Sequence, residues 1–367
     1  MRRTLAVVIF LGALAGCLDA DPGGNDPAAT SSDAPAVRPT RYYEGFHRIG
    51  DVDGFVDALV ANASDVVTPF EVGSSVNGNV QQGLRITAPG DAAGRVRFLI
   101  DGGIHGNEVY GSESVLYIAA WLTENHATNQ TARDILSAVD LRLIFHINPD
   151  GREDNTRENA HSVDLNRNFD VDFGNPSPLC RSQSISPLIP YYYAGPEPTS
   201  EPETKALADY MEGFEPEMYL SFHTGRHALI RPWAACNPPH PMPAADDAFF
   251  EAIEAWTRAH TTYQNTGTAE ETADRTFPPG AASGSSTDWC YLTYHCVALT
   301  MEVTLTYGEG NVDPAEQAEE AFPIVLHLLE NAKSYRLWEN PPDDLEAYGS
   351  GYHLLPVPEA VKNGNPI

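Results

Sequence analysis

Lysine is scarce in this 367-residue chain. Only Lys205, Lys333 and Lys362 stand among 22 basic residues, against 51 Asp and Glu, for a formal charge of −29. A chain so short of positive charge repels phosphate backbones, which excludes nucleic acid as a partner. The same balance keeps a protein soluble in strong salt, and it also follows when a GC-rich genome replaces Lys by Arg, so it says nothing about chemistry. Internal repeats, heptads and collagen-like periods are missing too. With 42 % hydrophobic and 20 % charged residues, the chain is globular for most of its length, either as one large α/β domain or as two to three average ones. The apolar run at 5–14 falls well short of the roughly 20 residues of a bilayer span. It follows Arg2 and Arg3, the charged-then-apolar plan of a secretory signal. No Cys-x-x-Cys pair occurs, which argues against a structural zinc site.

Leu14-Ala15-Gly16-Cys17 resembles the lipobox of bacterial-type lipoproteins. The resemblance implies cleavage after residue 16, a lipid on Cys17, and an exported protein that meets the membrane only through that anchor. An ordinary signal peptide with an incidental Cys17 is the other reading. Residues 17–40 are mostly Asp, Pro, Gly, Ala, Ser and Thr, too poor in apolar side chains to offset the entropy of folding, and are expected to form a tether. Cys180, Cys236, Cys290 and Cys296 remain. An even number in an exported chain favours one or two disulfides, and the sequence does not choose among the pairings.

The middle of the chain alternates in period. Val52, Phe55, Val56, Leu59 and Val60 carry the i, i+3, i+4, i+7 spacing of an amphipathic helix. Short strands are expected near 70–72 and 84–87, then at 95–100, 141–147, 218–222 and 297–303. Helices are expected at 113–122, from a Thr199 or Ser200 cap to 211, at 246–259 and over 314–337. Strand, loop, helix repeated in this way is the unit of a wound α/β sheet.

Polar residues cluster where these strands end. His105-Gly106-Asn107-Glu108 puts an imidazole and a carboxylate three apart directly after a strand, and His223 ends another. Two His and one Glu make an open three-ligand set that suits catalytic zinc, although each fragment alone is common by chance. Arg157 precedes Asp164-Leu165-Asn166-Arg167-Asn168-Phe169. Asn and Arg together offer a fork of donors for a carboxylate, and a separate Arg can hold a developing oxyanion.

Taken in order, these motifs closely resemble the zinc carboxypeptidases, the family of carboxypeptidase A. The resemblance runs from about residue 42 to 338 and includes Asn148-Pro149-Asp150-Gly151-Arg152, Ser200-Glu201-Pro202-Glu203-Thr204, Ser221-Phe222-His223-Thr224, Gly284-Ser285-Ser286-Thr287-Asp288-Trp289 and Thr300-Met301-Glu302. It implies an α/β fold with a mixed, mostly parallel central sheet flanked by helices (phosphorylase/hydrolase-like). It implies one zinc ion on His105, Glu108 and His223, Glu302 as general base and acid, and Asp164 orienting His105. Arg157 would polarise the scissile carbonyl, Asn166 and Arg167 would bind the terminal carboxylate, and Thr287 would line the side-chain pocket. The substrates implied are peptides with a free C-terminal carboxylate, and the neutral Thr287 suggests apolar or broad preference. Two positions depart from the family pattern. Its substrate-binding Tyr would fall at Gly280, with Tyr263 or Tyr307 as candidate substitutes, and Asn107 stands where digestive members carry a basic residue.

The expected organisation is a leader at 1–16, the tether at 17–40, the catalytic domain at 41–338 and a tail at 339–367. Neither flank has room for an inhibitory pro-domain or an added β-sandwich, so the enzyme is expected to fold in active form. Two other readings remain compatible with the residues: a zinc amidase or peptidase acting on cell-wall peptides or acyl-amino acids, and a catalytically inactive binding lipoprotein.

Overall fold

The computed structural model describes residues 38–39, 45–175, 192–272, 282–335 and 337. The expected leader, Cys17, Cys180, Gly280 and the tail lie outside them. Helix α1 (Ile49–Ala63) buries Val52, Phe55, Val56 and Leu59, the stripe its spacing predicts. An antiparallel pair, β1 (Val67–Ser74) and β2 (Val80–Ile86), follows. Strand β3 (Val96–Gly102) is buried at six of its seven residues, as befits a strand covered on both faces. Next come α2 (Val109–Asn125), α3 (Gln130–Ala138), β4 (Val139–Ile144), α4 (Pro149–Asp154), α5 (Pro202–Phe214), β5 (Met218–His223), β6 (Ala228–Ile230), α6 (Ala244–His260), β7 (Thr266–Gly267), α7 (Ser286–Tyr294), β8 (Val297–Glu302) and α8 (Pro314–Glu330).

Among the described residues the eight strands join one sheet in the order β1-β2-β4-β3-β5-β8-β6-β7. The central four, β4-β3-β5-β8, are parallel, while β1, β2 and β6 run antiparallel to a neighbour. This is the mixed, mostly parallel sheet expected. Helix α2 packs on β3 and β5 and against α8. It is buried from Val109 through Thr123, and Leu116, Ile118 and Leu122 there each contribute about 1.5–3 kcal/mol by leaving water. In the parallel register Ser221 lies opposite Asp101, and His223 lies opposite Glu302. Those pairs stand at the carboxyl ends of the strands, where open α/β sheets bind ligands.

Several boundaries differ from expectation. Helix α5 starts at Pro202 with Glu201 as its cap; the Ser200 hydroxyl donates to the Glu201 carboxylate instead of capping, and Thr199 sits at φ 52°. Helix α8 ends at Glu330 and gives way to a 3-10 turn over Ala332–Ser334. Helices α3, α4 and α7 and strands β6 and β7 were not expected. Helix α7 buries Ser286, Thr287 and Asp288 beside Cys290 and Tyr291, so no apolar stripe announces it. The Ser285 side chain caps it by accepting from Asp288 N, an N-terminal signal that the family motif overlies. Cys290 and Cys296 form a disulfide that ties the middle of α7 to the residue just before β8. Among the described residues no helix is long and apolar enough to cross a membrane.

Candidate metal and active site

His105 follows β3 in a loop that presses on the turn opening α4. A Cβ on Gly106 would run into the backbone of Gly151, so only glycine lets these two segments meet. Asn148 caps α4 by accepting from Gly151 N at 2.9 Å. The contact fixes His105 and Glu108 at the carboxyl edge of the sheet, facing His223 at the end of β5.

The three side chains converge in a buried cluster whose ligand atoms all lie within 4.8 Å of one another. His105 Nδ1 is 2.8 Å from Glu108 Oε1, and His223 Nδ1 is 2.9 Å from Glu108 Oε2. The two Nδ1 atoms face each other at 3.2 Å. Only one of them can carry a proton along that line, and two lone pairs so placed repel, whereas a shared cation makes both contacts favourable. Burial alone would raise the Glu108 carboxyl, but the two imidazoles hold it well below the usual carboxylate range. His223 is correspondingly raised: burial opposes its charge, and Glu108 outweighs burial. Two imidazoles and a carboxylate, buried and mutually within reach, fit zinc by number and donor type.

Supporting groups surround this set. Asp164, fully buried, lies 3.1 Å from His105 Nε2 and accepts from Arg157 Nε at 2.9 Å. Burial would raise its carboxyl, yet Arg157, Arg167 and His105 keep it well below the ordinary value. Arg157 also donates to Glu108 Oε1 at 3.0 Å. On the other side the Ser221 hydroxyl donates to Asp101 at 2.7 Å and sits 3.3 Å from His223 Nε2. Tyr219 donates to the other Asp101 oxygen at 2.7 Å. Each imidazole thus has a carboxylate behind it, His105 directly and His223 through Ser221, which is how ligating histidines are usually oriented.

A cavity of about 220 Å³ opens over the cluster. His105, Glu108, His223, Arg157, Asn166, Arg167, Thr287 and Glu302 all line it, so the expected site residues meet around one space, with Asp164 just behind. Glu302, at the end of β8, is pushed above its usual value by burial and then by the Glu108 charge. Its Oε2 is buried with no hydrogen-bond partner among the described residues. Asn166 Oδ1 accepts from Ser286 N at 2.9 Å, which commits the oxygen and turns the NH2 into the donor on offer. Arg167 donates to the Asn166 carbonyl at 2.8 Å and lies 5.3 Å from the Tyr192 ring, which Arg157 also faces at 5.3 Å. Gly284 approaches the Arg167 carbonyl too closely for any Cβ.

Of the two candidate tyrosines, Tyr263 is buried in the core and stacked with His227, away from the cavity. Tyr307 lines the cavity, with Gly225 beneath its hydroxyl. Burial, then Glu108 and Glu302, push that phenol up to about 12, so it stays a donor at neutral pH. Sequence reasoning missed Asp101, Tyr192 and Arg226, which also lines the cavity. Asp101 had a visible signal, an acid at a strand end before two glycines; Arg226 stands only three residues past His223.

The sequence matches the profile of the family described as zinc carboxypeptidase over residues 52–322. The chain belongs to the zinc carboxypeptidase family. It is thereby a metallocarboxypeptidase, a hydrolase whose family cofactor is zinc. Carboxypeptidase A2 of Rattus norvegicus is 25 % identical over 80 % of this chain and 72 % of its own. Carboxypeptidase B of Astacus astacus is 29 % identical over 80 % of this chain and 99 % of its own. Among solved structures, the carboxypeptidase A of Helicoverpa armigera superposes with a TM-score of 0.62 at 21 % identity, covering 84 % of this chain and 78 % of that one. That last likeness carries the fold alone.

Proposed function

We propose that the protein is an exported zinc metallocarboxypeptidase that removes C-terminal residues from peptides, held outside the cell by a lipid on Cys17. The observation that carries the catalytic reading is the convergence of His105, Glu108 and His223 in the floor of a cavity that also presents Glu302, Asn166 and Arg167. His105, Glu108 and His223 would hold one zinc ion. When bound, zinc would polarise the scissile carbonyl and a water and lower the pKa of that water.

Glu302 Oε2, buried and without a hydrogen-bond partner among the described residues, takes the proton from the attacking water. A raised carboxyl is suited to giving that proton back to the leaving amine. Asn166 and Arg167 hold the terminal carboxylate by charge-assisted hydrogen bonds, and the Asn166 amide hydrogens are available because its oxygen is engaged by Ser286 N. Arg157, steadied by Asp164, stands beside the ligands to stabilise the carbonyl oxygen as it gains charge. Tyr307 supplies a phenol in the cavity in place of the family Tyr.

The carboxylate requirement gives the test. Blocked dipeptides with a free C-terminus should be cleaved at least tenfold faster than the same dipeptides as C-terminal amides. Equal rates on both, or faster release from peptidoglycan fragments than from ordinary peptides, would favour the cell-wall amidase reading. Tight small-molecule binding without hydrolysis would favour the inactive lipoprotein.

A further inference from the structure

The cavity carries a second cationic donor set, separate from Asn166 and Arg167. Arg226 lies on the loop after β5 and lines the cavity beside Ile230, Ala234, Ala269, Thr287 and Thr300. Ile230, Ala234 and Ala269 pack together as a small apolar wall. Thr287 and Thr300 satisfy each other through their hydroxyls at 3.0 Å. Arg226 is therefore the charged group at that wall. Its hydrogen bonds among the described residues go to neutral oxygens, Thr272 Oγ1 at 3.3 Å and the Ala269 carbonyl at 3.5 Å, while its charge also reaches the Glu302 carboxyl. Arg157 and Arg231, in contrast, are each paired with carboxylates.

A guanidinium held beside a small apolar wall by weak neutral hydrogen bonds presents a planar fork that matches a carboxylate bidentately. We propose that Arg226 is the specificity-determining residue, selecting peptides that end in Glu or Asp. This rests on the carboxypeptidase reading above and replaces the apolar or broad preference that the neutral Thr287 suggested. The small walls leave room for the side-chain methylenes, and Arg226 takes the side-chain carboxylate while Asn166 and Arg167 take the terminal one.

The test compares zinc-loaded wild type with Arg226→Met, Arg226→Lys and Arg226→Glu on blocked dipeptides ending in Glu, Asp, Phe, Leu, Lys and Arg. Wild type should favour Glu or Asp. A hydrogen-bonded charge in a cavity is worth on the order of 10- to 100-fold, so Arg226→Met should lower the Glu-to-Phe ratio of kcat/KM by that factor. Arg226→Lys should retain part of the ratio, and Arg226→Glu should move preference toward Lys and Arg ends. A second arm measures calorimetric binding of N-acetyl-Gly-Glu and N-acetyl-Gly-Phe to Glu302→Gln with and without Arg226→Met. Preference for Phe or Leu in wild type, or an equal loss for every substrate in Arg226→Met, would overturn the assignment. If no residue of any kind is released, the activity reading fails, and the binding arm still decides: equal affinity for the two ligands overturns the Arg226 assignment.

Discussion

Asp164→Asn separates the orientation of a metal ligand from the presence of that ligand. Asp164 lies beside His105 Nε2 at 3.1 Å and accepts from Arg157 Nε at 2.9 Å and from Asn166 N at 3.2 Å. Asn keeps the shape and one acceptor but loses the charge and the second acceptor. Removing the carboxylate behind a ligating imidazole costs about 10–100-fold in metal affinity, or about 1.4–2.7 kcal/mol. Arg157 keeps Glu108 as a partner, so the loss in metal-free stability should stay below the ~3–5 kcal/mol of a fully broken buried pair. The assay is a zinc titration against a chromophoric chelator, with melting followed with and without zinc. In saturating zinc, the stabilisation conferred by the metal should shrink by about 1.4–2.7 kcal/mol. A folded variant whose zinc affinity stays within twofold of wild type would refute the role given to Asp164.

Ser221→Ala should weaken zinc binding by roughly tenfold by removing the link between Asp101 and His223, while Tyr219→Phe, which touches Asp101 but not His223, should not; equal effects of the two in the same titration would contradict the relay. Gly106→Ala should destabilise the fold by about 1–3 kcal/mol or more, because the new methyl meets the Gly151 backbone, and an unchanged melting temperature would count against that packing. The pH profile tests Glu302. Its carboxyl is raised by burial and the Glu108 charge, and it works as a base only when ionised, so kcat/KM should rise with pH along an acid limb lying above the ordinary value of about 4.3 for Glu. A limb at or below that value would show that Glu302 is not the titrating base.

Much of this was legible in the chain before the fold was known. The parallel strands announced themselves because β3, β5 and β8 are short, mostly apolar runs closed by Gly, His or Glu, and the site residues sit at those ends. Ordered motifs then supplied His105, Glu108, His223 and Glu302, which the sheet register brings together. What stayed hidden lacks periodicity. Helix α7 buries hydroxyls and an acid rather than an apolar stripe, and β6 and β7, three and two residues long, are too short to show alternation. Asp101 and Arg226 acquire meaning only through neighbours distant in sequence, Tyr219 and Ser221 for one and Ala269 and Thr272 for the other. Thr287 alone says little about side-chain preference, because Arg226 reaches the same cavity from another loop.

The most direct test of the account measures release of C-terminal amino acids from a mixed panel of blocked peptides, alongside the zinc content of the same samples. Wild type, Glu302→Gln and chelator-treated protein are compared, the last also after zinc is restored. The account predicts one zinc per wild-type chain, and release that falls by about 10²–10⁴-fold in Glu302→Gln with zinc retained. Release should be lost on chelation and return with zinc. A folded, zinc-loaded wild type that releases nothing, or a Glu302→Gln variant as active as wild type, would contradict it.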